Sequence, residues 1–207
     1  MSSLYEREVL RRDALQEVLN ISMGQAADTL ACLIDERVHL SIPRLHDVEA
    51  SRLEAFGSSL IRKPCGMLTR QSFGGFFRGE VLACFERGSK PVLLAPGLGF
   101  PVAAVERNPS ELILELTNLL ASACLKGVAE QLACALRFGP PSVLATASTV
   151  TDFLGRQSLI WHKALFLEIS FSVDSLSLVI DLLICVPEQE SRALWQGVDR
   201  MLGQEDV

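Results

Sequence analysis

The chain has 207 residues, 49% of them apolar and 21% charged, enough to bury the core of one ordinary domain; this excludes a staple-dependent miniprotein and a disordered chain. Nineteen Lys and Arg against 25 Asp and Glu leave a net charge of −6, which argues against non-specific binding to nucleic acid or anionic lipid. The N-terminal run Met1-Ser-Ser-Leu-Tyr-Glu-Arg-Glu is charged where a secretory signal needs an apolar stretch. The most apolar segments, Val92 to Val105 and Leu176 to Val186, are shorter than a bilayer span and broken by prolines or by Asp181. A cytoplasmic protein without membrane insertion is the expectation.

Apolar residues recur at three- and four-residue steps from Tyr5 to Glu36 and predict a long amphipathic helix. Val38 to Ile42 alternates as a strand that Pro43 stops, and Asp47 to Phe56 has the composition of a short helix. Two strands, about Met67 to Phe73 and Phe77 to Phe85, flank a glycine-rich stretch suited to a hairpin. Ser89 to Leu94 begins a short helix, and the run from Ala95 to Val102 is a connector. Ser110 to Arg137 predicts a second long helix with Ser110 as N-cap after Pro109. Strand-like Ser142 to Ala147, longer strands at about Leu159 to Val173 and Leu176 to Val186, and a helix from Glu188 to Leu202 complete the chain.

The order helix, short strand, hairpin, helix therefore occurs twice. Placing one half on the other at an offset of 98 positions aligns Glu17 with Glu115, Asn20 with Asn118 and Pro43 with Pro141. The expected fold is α/β, with internally duplicated helix-plus-β-hairpin units giving a pseudo-two-fold sheet and two long helices packed on one face. One domain is expected over residues 1–207, with the first repeat at about 5–105 and the second at about 109–204, because either half alone leaves a sheet face or edge uncovered.

Asp13, Glu17 and Asn20 fall within a sector of roughly 60° on the first helix, and Glu111, Glu115 and Asn118 repeat the stripe on the second. One such stripe is what any solvated helix face carries. Its repetition, with Asn at a helix-interior position in both copies and proline 23 residues later, marks a retained task. The remaining candidates are weaker. His39, His46 and His162 share no ligand spacing, and the six cysteines form no C-x-x-C pair and sit among apolar neighbours, so free buried thiols and no metal site are expected. Gly97-Leu-Gly-Phe-Pro lacks the strand-to-helix setting of a phosphate loop. The small residues Gly24, Ala26, Ala27 and Ala121, Ser122, Ala123 fit close helix packing.

The two stripes resemble the signature of the CheC/CheX/FliY phosphatases, which act on the phosphorylated response regulator CheY: Asp or Ser, three residues, Glu, two residues, Asn, about 22 residues, Pro. It stands here as Asp13, Glu17, Asn20 and Pro43, and again as Glu111, Glu115, Asn118 and Pro141, departing only at the first position of the second copy. Two copies in this length are most similar to CheC. The resemblance implies that Asn20 and Asn118 enter the receiver's active site to orient the attacking water, that Glu17 and Glu115 engage the receiver's lysine, and that Asp13 and Glu111 tune docking. It implies no cofactor beyond the Mg²⁺ that the receiver itself carries. A CheD-like deamidase is left open as a second partner. So is a rival reading, in which the same fold is a non-catalytic adaptor for a receiver, a CheD-like protein or a flagellar-switch component. Because the duplication supplies internally the symmetry that a single-copy relative gains by dimerising, a monomer is expected.

Overall fold

A computed structural model describes residues 2–60, 65–144, 150–157 and 161–204. Helix α1 (Ser2–Ile34) leads into strands β1 (His39–Leu40) and β2 (Arg44–Glu49), helix α2 (Leu53–Leu60) and the hairpin β3 (Cys65–Gly75) and β4 (Gly79–Glu86). Helix α3 (Val102–Arg107) then precedes α4 (Ser110–Gln131), β5 (Leu136–Phe138), β6 (Ser142–Val143), α5 (Val150–Gln157), the hairpin β7 (Lys163–Val173) and β8 (Leu178–Pro187), and α6 (Glu188–Met201).

All strands among the described residues join one antiparallel sheet in the order β1-β7-β8-β4-β3-β5, with β2 also pairing β7 and β6 also pairing β3. Elements 98 positions apart occupy mirrored places in this order, so it reads the same from either end; this is the arrangement that the duplication expected from the sequence would produce. The backbone repeats too. Asp35 and Ala133 leave α1 and α4 with left-handed φ values of 53° and 48°, each turning the chain toward a short edge strand.

Side chains alternate across the sheet. Along β8, Leu178, Ile180, Leu182, Ile184 and Val186 face the cluster containing Leu15, Leu19, Leu116 and Leu120 of α1 and α4, while Leu183 and Cys185 face a second cluster with Leu53 of α2 and Phe153 and Leu154 of α5. The two long helices thus pack on one face, as expected, and α2 and α5 cover the other. Helix α4 is the one described helix long and apolar enough to cross a bilayer, and its apolar surface is buried inside the fold.

Several local expectations are corrected. Arg44–Glu49, expected in part as helix, is a strand registered on Lys163–Glu168, where Asp47 meets Arg12 and Lys163, and His46 meets Glu168 at 2.9 Å. Long-range pairing overrides local composition there. Helix α4 ends at Gln131, not Arg137, because Ala133 turns the chain and Leu136–Phe138 pairs with β3. Ser110 is not the N-cap: it is the first helical residue, and its N–H donates to Asn108 Oδ1 at 3.1 Å. Helices α3 and α5 were not expected from the sequence, and the expected strand portions at 145–147 and 159–160 lie outside the described residues. The cysteines are not all free and buried. Cys65 and Cys84 form a disulfide across the β3–β4 hairpin, where a register shift between Cys65 and Met67 brings them together, and Cys32 is exposed.

Candidate functional site

The first stripe lies where helical periodicity puts it. Leu15, Val18, Leu19, Ser22 and Met23 are buried, and Asp13, Glu17 and Asn20 on the opposite arc are exposed. Among the described residues, Asp13 and Glu17 form no ion pair and the Asn20 carboxamide has no hydrogen-bond partner. Neighbouring polar groups are taken up elsewhere: Arg12 and Lys163 by Asp47, and His46 and Arg44 by Glu168. Pro43 is buried, and its carbonyl accepts a hydrogen bond from Gln16 Nε2 at 2.6 Å. The signature proline is therefore held against the helix turn that carries Glu17, with Ile42 before it 78% exposed and Ile21 beside Asn20 40% exposed. The site is an acidic stripe with a free carboxamide and an apolar rim.

The second stripe is built differently. Glu111 and Glu115 are exposed and form no ion pair among the described residues, but Asn118 is half-buried. Gln71, on β3 and only 1% exposed, donates from Nε2 to Asn118 Oδ1 at 2.8 Å and to the Gly139 carbonyl at 2.9 Å. Near this contact, the Thr69 and Thr117 hydroxyls meet at 2.7 Å, and Thr117 also donates to the Ile113 carbonyl at 2.8 Å. Helix α4 is thus tied to β3 by polar links. At the positions 98 residues away stand Leu167 and Ile169 on β7 and Leu19 on α1, all buried.

Sequence reasoning found the two stripes and missed what holds them. Gln16, Gln71 and the threonine pair belong to no motif. The signal for Gln71 was its parity: on β3 it shares a face with Phe73, so alternation places a polar amide toward the helices. Among the described residues, no three His, Cys, Asp or Glu side chains converge on a common point.

No protein-family model matches the chain, and no curated protein matches it by sequence. Solved structures do match it. The chain has the CheC/CheX/FliY fold. Thermotoga maritima FliY superposes with a TM-score of 0.63 at 14% identity, over 92% of this chain and 96% of that one. The CheX–CheY–BeF3–Mg²⁺ complex from Borrelia burgdorferi matches with a TM-score of 0.51 at 12% identity, over 82% of this chain and 98% of that one. The FliM middle domain from H. pylori matches with a TM-score of 0.59 at 8% identity, over 90% of this chain and 97% of that one. At these identities the likeness is one of fold.

Proposed function

We propose that the chain is a phosphatase for a phosphorylated CheY-like receiver domain. The observation that carries this reading is the pair of Glu and Asn stripes on two helices that pack side by side on one face of a fold shared with a CheX bound to CheY. Beryllium trifluoride in that complex stands in for the phosphoryl group. The receiver brings Mg²⁺ as part of the substrate, so the chain itself has only to place a water in line with the bond between phosphorus and the aspartyl oxygen. Water oxygen bonds to phosphorus, the bridging bond breaks, the aspartate leaves as carboxylate, and the water protons pass to the products.

Asn20 and Asn118 suit this task because a carboxamide both accepts and donates without placing charge against the phosphoryl group. Glu17 and Glu115 attract the receiver's lysine, and Asp13 and Glu111 extend the acidic stripe that meets the receiver's rim. With both sites on one chain, a second copy is not required, and the receiver substrate implies a cytoplasmic setting. The FliM match favours a second reading, an adaptor that docks a receiver, a CheD-like protein or a switch component without turnover. The exposed carboxamide of Asn20 beside Glu17 favours catalysis over it.

The test is release of phosphate from receivers charged with a small phosphodonor, with and without the protein. The double variant Asn20→Ala, Asn118→Ala is expected to lose roughly a hundredfold in turnover while remaining folded, with partial loss in each single variant. Absence of acceleration for every receiver that binds establishes the adaptor reading, and full turnover in a folded double variant rejects the mechanism.

A further inference from the structure

Resting on the phosphatase reading, we infer that Gln71 is a positioning residue for Asn118, so that the second site is pre-oriented and the first is not. The chemistry fixes the orientation of both amides. The Gly139 carbonyl can only accept, so the Gln71 atom 2.9 Å from it is Nε2. The second N–H of that nitrogen points at Asn118, whose facing atom at 2.8 Å is then Oδ1. Asn118 is therefore held with Nδ2 free as a donor and with one lone pair of Oδ1 left to accept.

A buried amide is an unusual choice for this position. Gln71 is 1% exposed, and among the described residues its Oε1 has no partner, so an apolar residue of the same length would fit with less polar burial. At the mirrored position the chain has Ile169, fully buried, and Asn20 is left exposed without a partner among the described residues. The two carboxamides thus start from different states. Asn118 is already confined to one arrangement, whereas Asn20 must lose rotamer freedom when the receiver docks, a difference of up to about tenfold in rate.

The test uses Gln71→Met, which keeps length and apolar fit while removing both donors. In an Asn20→Ala background, where only the second site works, kcat is expected to fall about tenfold with KM within about twofold, because the docking glutamate is untouched. In an Asn118→Ala background, where Gln71 has no carboxamide to hold, that fall disappears. An equal fall in both backgrounds, or none in the first, overturns the inference. Side-chain amide ¹⁵N relaxation gives a readout that needs no turnover: Asn118 is expected to be ordered and Asn20 mobile in the unmodified protein, with Asn118 becoming as mobile as Asn20 in Gln71→Met. An Asn118 amide as mobile as Asn20 before any substitution overturns the inference even if the variant does not fold. Ordered Asn118 in a protein inactive on every receiver rejects the phosphatase reading and leaves the positioning contact standing.

Discussion

The same substitution, glycine to alanine, is expected to have opposite effects at two helix-interior positions. Helices α1 and α4 pack against each other, and a Cβ added to Gly127 would lie 2.7 Å from Ser22 Cβ and 2.9 Å from Ser22 Cα. Ser22 cannot swing aside: it is fully buried, and its hydroxyl donates to the Val18 carbonyl at 2.7 Å. The helices themselves must part, and such overpacking costs about 1–3 kcal/mol. Alanine returns up to about 1 kcal/mol in helix propensity, so Gly127→Ala is expected to destabilise by a net of up to ~2 kcal/mol, lowering Tm by up to roughly 8 °C at this chain length. Gly24, in the interior of α1, has open space where a Cβ would stand, with nothing within 4 Å beyond its chain neighbours and the backbone of its own helix, so Gly24→Ala gains the propensity alone, ~0.5–1 kcal/mol and roughly 1–4 °C. Thermal and urea unfolding followed by circular dichroism measure both. A rise in Tm for Gly127→Ala, or shifts of the same sign at both positions, refutes the account of the helix contact.

Reversing Glu17 or Glu115 to Lys places like charge opposite the receiver's lysine and is expected to weaken receiver binding partially in each single variant and severely in the double one, as titration calorimetry reads; binding insensitive to the double reversal rejects the assigned role. The cysteines divide by burial. Cys32 is exposed, whereas burial pushes the Cys124 thiol up to about 12 and the Cys185 thiol well above its ordinary range, so iodoacetamide at about pH 8 should label Cys32 in the native protein and the other two only after unfolding. The same raised thiols hold their full stabilising effect below the ordinary thiol range and lose it as pH climbs from about 9 toward about 12, because the unfolded chain ionises first. Native labelling of Cys124 as fast as that of Cys32 contradicts its burial.

What the sequence determined by itself was local and periodic. Helical spacing placed Glu17, Asn20, Glu115 and Asn118 on arcs opposite Leu19 and Leu116, because a helix repeats every 3.6 residues whatever it packs on. Alternation and glycines located both long hairpins. The tertiary structure decided everything that depends on partners far along the chain. Arg44–Glu49 became a strand because β7 was there to receive it, and α4 stopped early because Leu136–Phe138 found β3. The close helix contact fell at Gly127 against Ser22, not at Gly24, since composition marks small residues but not which of them faces a neighbour. The difference between the sites shows the same limit. The sequence located it at Glu111, the one departure from the signature, whereas the fold adds a larger one at Gln71, 47 residues from Asn118. That hydrogen bond depends on the register of a strand beneath a helix, which only the assembled sheet sets.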